Sequence, residues 1–353
     1  MKIRTNAFTA FSRPRCWRLL LVAVMFVLWA SCATKSGRSV GGSHYPKGSP
    51  VDQHGALRVV DRQLCDQAGQ SVVLRGISTH DLKAFGRFAN RDAIRSLAQD
   101  WHVTVLRCAV YLTSYLPVRD LEQRIDLIVS ACEENGIYCI IDWHVLTERN
   151  PQKTEAEARV FFARKAAQYR DKPHVLYEIC NEPNGAEVTW RENVKPYAEA
   201  IIPVIREHAP DAVIIVGTPM WSQDVDVAAQ EPLAFGNLLY ALHFYAGSHG
   251  DWLREKIRKA SEHIAIFCSE WGTTLASGDG GPFPKESTVW LDFLEGNRIS
   301  WCNWSLSDAN ETSALFRPGV SGQGGWTEND LTESGQFVHA RLQAPIAAGK
   351  QME

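Results

Sequence analysis

Eight short apolar runs, separated by longer amphipathic stretches, constrain this chain more than any other feature. They are VVLRGIS (72–78), TVLRCAV (104–110), YCIIDWH (138–144), VLYEICNE (175–182), AVIIVGTP (212–219), LLYALHFYA (238–246), AIFCSEWG (265–272) and ISWCNWSLS (299–307). Helix-like segments lie between them, such as RDLEQRIDLIVSACEEN (119–135), for which Gly136 is the C-terminal stop. Continuous apolar strands alternating with helices indicate a parallel sheet covered on both faces. Eight such units over about 240 residues predict an α/β fold, a single (β/α)8 TIM barrel spanning 54–343. HGALRVVDRQLCDQAGQS (54–71) reads as a small N-terminal β-hairpin that caps the barrel's bottom. The structural rival, an open doubly wound sheet holding a dinucleotide, would carry GxGxxG after the first strand, and that motif is absent there.

The segments outside the barrel read differently. Arg13, Arg15 and Arg18 precede an apolar run from Leu19 to Ala30 and then the small residues of ASCATKSG, the pattern of an export signal over 1–32. The run is about 12 residues, short of the ~20 that span a bilayer as a helix. Cys32 after Ala30 and Ser31 resembles the lipid-modified cysteine of bacterial lipoproteins, whereas Trp29 stands where an aliphatic residue is usual. Secreted, periplasmic and lipid-anchored locations therefore stay open. KSGRSVGGSHYPKGSP (35–50) places a flexible linker over 33–53, and 344–353 forms a C-terminal tail. A net charge of -3 without a basic stripe gives no reason to expect nucleic acid as a partner. Cys108, Cys139, Cys180, Cys268 and Cys302 lie inside apolar runs and no CxxC or CxxH spacing occurs, so free buried thiols are expected rather than disulfides or a zinc site. The expected unit is a monomer.

Where the apolar runs give out, polar and aromatic residues follow: His80, Arg107 with Tyr111, Asp142 to His144, Asn181 with Glu182, His243 with Tyr245, Glu270 with Trp271, and Trp304. In a TIM barrel these C-terminal strand ends converge on one face, where active sites sit. Pro183 cannot donate to a sheet ladder, so the fourth strand should stop there with Glu182 at its mouth. Glu182 and Glu270 hold equivalent positions on the fourth and seventh strands. Retaining glycosidases need two carboxyl groups about 5 to 5.5 Å apart, one protonated and one ionised. Arg107 and Tyr245 are candidates to keep Glu270 ionised, while burial or a like charge raises the other. Taken singly, each glutamate reads as a surface carboxylate paired with a base; as a pair inside apolar runs, beside Trp and His, they favour the catalytic reading. A metal set drawn from His80, His144, His243 and the two glutamates is not excluded by spacing. Trp143, Trp221, Trp271 and Trp304 offer flat apolar faces suited to sugar rings or to the core, and Trp304 is the expected sugar platform.

The segments RGIS and TH (75–80), VLRCAVY (105–111), IIDWH (140–144), YEICNEPNG (177–185), VGTPMWSQDVD (216–226), LHFYAGSHG (242–250), SEWGTTLASGDGG (269–281), ISWCNWSLSD (299–308) and GGWTENDLTESG (324–335) together resemble glycoside hydrolase family 5, in its bacterial endoglucanase branch. The resemblance implies a retaining endo-β-1,4-glucanase acting on cellulose-type or mixed-linkage β-glucan, without a cofactor. It implies Glu182 as acid/base, Glu270 as nucleophile and Asn181 on the sugar 2-hydroxyl, with Arg107 and Tyr245 holding the nucleophile. His80, Tyr111, His144, His243 and Trp304 match residues lining the same subsite, Trp221 one on the leaving-group side, and Ala276 and Glu311 join the substrate-binding set. Two positions depart from the pattern: Ala84 stands where a stacking tryptophan is usual, and Ala309 where a sugar-binding lysine is usual. These leave open other β-glycans (xyloglucan, mannan or short oligosaccharides) and a surface glycan-binding lipoprotein with vestigial activity.

Overall fold

The computed structural model describes residues 44–115 and 120–346. The export signal with Cys32, and the tail beyond residue 346, lie outside the described residues. β1 (Arg58–Val60) and β2 (Gln63–Cys65) form the expected antiparallel hairpin. Its two-residue turn, Asp61 and Arg62, has φ of 46° and 64°, the left-handed backbone that a tight hairpin with native twist needs. Eight strands follow: β3 (Arg75–Thr79), β4 (Val105–Tyr111), β5 (Tyr138–His144), β6 (Val175–Glu178), β7 (Ile214–Val216), β8 (Leu238–Tyr245), β9 (Ile266–Gly272) and β10 (Trp301–Leu306). Each pairs in parallel with the next and β10 pairs with β3, closing the barrel.

Side chains alternate along a strand, so one register decides what fills the barrel. The lower interior holds Val105, Tyr138, Ile140, Leu176, Leu239, Ala241 and Phe267, all buried in one apolar cluster. Two residues further along the same faces come Arg107, Asp142, Glu178, His243 and Ser269, also buried. The interior therefore changes from apolar to ionic within one layer. The outward faces, including Leu106, Cys139, Ile141, Tyr177 and Phe244, pack under the surrounding helices. Seven cysteines among the described residues are free and buried, as their apolar settings predict.

The bottom is sealed by residues N-terminal to the barrel. Leu57 and Leu64 from the hairpin join the lower cluster, together with Tyr45 and Val51. Residues 44–53 were expected to belong to the flexible linker, and their structure corrects that expectation. Tyr45 is buried with its hydroxyl 3.0 Å from His174 Nδ1, and Ser49 caps a short helix, Pro50–His54, by accepting from the Asp52 amide. A glycine- and serine-rich composition overlooked two anchors: one aromatic and one N-cap.

β6 also ends earlier than the apolar run implies. Its ladder stops at Glu178, so Asn181 and Glu182 lie beyond the strand, on the segment leading to Pro183. That segment is nonetheless fixed, by the Ile179 amide on the Ile215 carbonyl (3.0 Å) and the Glu182 amide on the Val145 carbonyl (3.0 Å). Gly217, just past β7, lets the chain close here. A Cβ there would meet the Cys180 carbonyl at 2.4 Å.

Candidate active site

At the C-terminal face of the barrel lies a cavity of about 700 Å³. Of the residues singled out from sequence, His80, Tyr111, His144, Glu182, Trp221, His243, Tyr245, Glu270, Ala276, Trp304 and Glu311 line it. Arg107 and Asn181 do not reach the cavity and sit directly behind it. Trp143 and Trp271, whose flat faces suited either sugar rings or the core, are fully buried and belong to the core. Trp304 lines the cavity against His80 (ring centroids 4.8 Å), His144 (5.6 Å) and Tyr111 (6.3 Å).

Glu182 and Glu270 face one another. One oxygen of each and a ring nitrogen of His243 lie within 4.8 Å of one another, so both carboxyl groups can reach a single carbon placed between them. Their surroundings differ. Glu270 Oε2 accepts from Arg107 Nη1 (3.1 Å) and Oε1 from the Tyr245 hydroxyl (2.8 Å). Burial works against its ionisation, but His243, Arg107 and the Tyr245 hydroxyl outweigh it and hold this carboxyl below the usual range. Glu182 has His243 Nδ1 at 2.9 Å. Burial and the neighbouring Glu270 charge push the Glu182 carboxyl up, against the pull of His243. The two surroundings thus separate the pair, favouring the ionised form of Glu270 and the protonated form of Glu182.

Behind this pair stands a network only part of which the sequence suggested. Arg107 binds Glu178 through two contacts (Nε to Oε2, 2.7 Å; Nη2 to Oε1, 3.0 Å), Asn181 Oδ1 (2.6 Å) and Asp142 Oδ2 (3.0 Å). His144 Nδ1 is 2.6 Å from Asp142 Oδ2. Burial and then the Arg107 charge push the His144 imidazole down to about 3, so it is neutral; burial and His144 bring His80 to about 4. Ser269 Oγ donates to Glu178 Oε1 (2.8 Å) and lies 2.9 Å from His243 Nε2. Glu178, Ser78 and Ser269 were missed. The available signal was a carboxylate at an inward position of an apolar strand, in a chain that also carries an inward arginine on the second barrel strand.

The wall carrying Met220 and Trp221 is built from strained backbone. Met220, Trp221 and Ser222 have φ of 54°, 56° and 57°, a left-handed turn that L-residues adopt at a cost. It is held by the Trp221 amide on the Pro183 carbonyl (3.0 Å) and by Ser222 Oγ donating to the Asn181 carbonyl (2.7 Å). The turn leaves Trp221 41% exposed at the cavity beside Glu182. Gln223 and His249 also line the cavity and were not singled out from sequence. Ala84 is exposed on the helix Leu82–Phe85, and neither it nor Ala309 lines the cavity.

The cluster of Glu182, His243 and Glu270 also has the spacing of a cation site. Its donor set does not fit one. Both ring nitrogens of His243 are engaged, with Glu182 and Ser269, and although burial opposes its charge, Glu178 and Glu182 raise its pKa to about 9. An imidazolium has no lone pair for a metal.

Residues 65–310 match the family model for cellulases of glycosyl hydrolase family 5. Endoglucanase N of Pectobacterium atrosepticum is 47% identical over 304 residues, which cover 85% of this chain and 68% of that protein. The chain spans 60% of endoglucanase 5 of Pectobacterium carotovorum subsp. carotovorum, at 47% identity over 85% of its own length. Among solved structures, the catalytic domain of Thermobifida fusca endoglucanase Cel5A bound to cellotetraose superimposes with a TM-score of 0.79 at 37% identity, covering 84% of this chain and all of that one.

Proposed function

The chain belongs to the cellulases of glycosyl hydrolase family 5, and on that premise we propose that it cleaves internal β-1,4 bonds of cellulose-type or mixed-linkage β-glucan with retention at the anomeric carbon. The observation that carries the reading is the facing pair, oxygens within 4.8 Å, with opposite influences on their protonation. Glu270 attacks the anomeric carbon as the glycosidic C–O bond breaks and Glu182 gives its proton to the departing oxygen. A glycosyl ester of Glu270 forms. Water then attacks that same carbon, Glu182 takes its proton, and Glu270 leaves as carboxylate. The family resemblance assigns Asn181, ordered by Arg107 just behind the cavity wall, to the sugar 2-hydroxyl, and Trp304 to the ring held between the glutamates. Trp221 supports the sugar on the leaving-group side.

The basic and apolar pattern of 1–32 supports export to where polymeric glucan is met. The same segment supports a lipid anchor at Cys32, which Cys32→Ser and detergent partitioning test. Ala84 and Ala309 favour a second substrate reading, in which a weak grip far from the leaving group admits branched or non-cellulosic β-glycans. A panel of defined oligosaccharides separates the two readings; undiminished turnover of cellotetraose counts against the second. The main test assays carboxymethyl-cellulose and mixed-linkage glucan with wild type and Glu270→Gln. Rapid loss of viscosity with wild type alone supports the proposal, and equal turnover by both removes it.

A further inference from the structure

Glu178 lies too deep to touch a sugar, being fully buried at the end of β6, yet it connects to both facing glutamates. On one side its two oxygens grip Arg107 at 2.7 and 3.0 Å, and Nη1 of the same guanidinium holds Glu270 at 3.1 Å. On the other side it accepts from Ser269 (2.8 Å), whose oxygen lies 2.9 Å from His243 Nε2, while His243 Nδ1 is 2.9 Å from Glu182. We propose that Glu178 is a positioning residue for the glucanase reaction, a buried carboxylate that orients Arg107 toward Glu270 and, through Ser269 and His243, sets the charge beside Glu182.

The groups facing this network come from several strands: Ser78 of β3, Arg107 of β4, Asp142 and His144 of β5, His243 of β8, and Ser269 and Glu270 of β9. Two carboxylates thus share Arg107 with Glu270. Burial pushes Asp142 up against the pull of Arg107, whereas for Glu178 Arg107 and His243 overcome burial and bring it down to about 2. Of these two carboxyl groups, Glu178 is the one whose surroundings favour the charged form beside Arg107. Burial opposes the charge on His243, and Glu178, 3.8 Å from its Nε2, heads the influences that keep it protonated. Neutralising Glu178 removes the anion that holds His243 as imidazolium, and with it the cation between the two glutamates. Arg107 is also released from its fixed orientation. Both changes alter protonation at the reacting pair while leaving the sugar-binding surface intact.

The inference rests on the roles given above to Glu182 and Glu270. Its test uses the full chain on mixed-linkage glucan, measuring kcat and KM from pH 4 to 10 for wild type, Glu178→Gln, Glu178→Asp and Ser269→Ala, with circular dichroism reporting the folded fraction. Glu178→Gln is expected to lower kcat at least about tenfold with KM within about twofold, and to displace the pH profile by about half a unit or more. Glu178→Asp, which keeps the charge, returns the profile toward wild type. A Glu178→Gln profile that superimposes on wild type, with activity tracking the folded fraction, overturns the inference. If Glu178→Gln does not fold, Ser269→Ala decides, since it deletes one hydroxyl from the chain of contacts. A displaced profile supports the inference and an unmoved profile with full kcat overturns it. A wild-type chain without glucanase activity fails the functional reading instead, so the two failures are distinguishable.

Discussion

The two ends of this barrel use the same strands for opposite purposes. At the bottom, Leu57, Leu64, Val105, Tyr138, Leu176 and Phe267 close a dry apolar layer. At the top, Arg107, Asp142, Glu178, His243 and Glu270 are crowded into a buried ionic layer, which folding alone does not reward because desolvated charges cost more than apolar contacts. Stability resides in the lower layer and chemistry in the upper one. Substitutions below should change how much protein is folded, and substitutions above how fast the folded protein works.

The largest expected effect breaks the upper end. Glu270→Gln should lower kcat on glucan by on the order of 10⁴-fold or more, with a thermal midpoint at or above that of wild type, because it removes the nucleophile and relieves buried charge. Glu182→Gln should cost about 10²- to 10³-fold on glucan and much less on an aryl cellobioside whose leaving group needs no proton. Equal losses on both substrates would remove Glu182 from the acid role. At the lower end, Leu176→Ala should destabilise by about 2 to 5 kcal/mol through the cavity it leaves, lowering the melting temperature while kcat per folded molecule stays unchanged.

The pH dependence separates the ends more finely. Activity should fall on the acid side below the ordinary carboxylate range as Glu270 protonates, and on the alkaline side above that range as Glu182 ionises. Stability has different limits. The His243 pKa is raised from 6.5 to about 9, so its contribution is complete below 6.5 and is lost as pH rises through about 9. The Glu178 pKa is depressed from 4.5 to about 2, so its contribution is present above 4.5 and is lost as pH falls through about 2. Calorimetry should therefore show a plateau between about 4.5 and 6.5, with stability falling on either side of it. The smallest effect belongs to Trp221→Ala, expected to remove about 0.5 to 1.5 kcal/mol of aromatic contact and to raise KM severalfold for long substrates with kcat little altered.

Much of this was legible in the sequence because parallel barrel strands are buried on both faces and so appear as unbroken apolar runs with abrupt polar ends. All eight strands, the hairpin and the convergence of His80, Glu182, His243, Glu270 and Trp304 follow from that pattern. The parts that were hidden share a cause. Glu178 sits in mid-run, where an inward carboxylate looks like an interruption until barrel closure brings it against Arg107. Trp143 and Trp271 stand next to polar strand ends yet point outward under the helices, since one residue along a strand reverses the face. Tyr45 and Ser49 anchor a segment whose composition resembles a tether. The left-handed turn at Met220 to Ser222 has no signature in residue type at all, because none of the three is glycine or asparagine.

The central claim is that two glutamates, their oxygens within 4.8 Å, act in succession on one anomeric carbon. Proton NMR of the first minutes of cellopentaose hydrolysis tests it directly, by following the anomeric signals before mutarotation mixes them. The β-anomer is expected to appear first and the α-anomer to grow in later; an initial α-anomer would contradict successive action of the two glutamates.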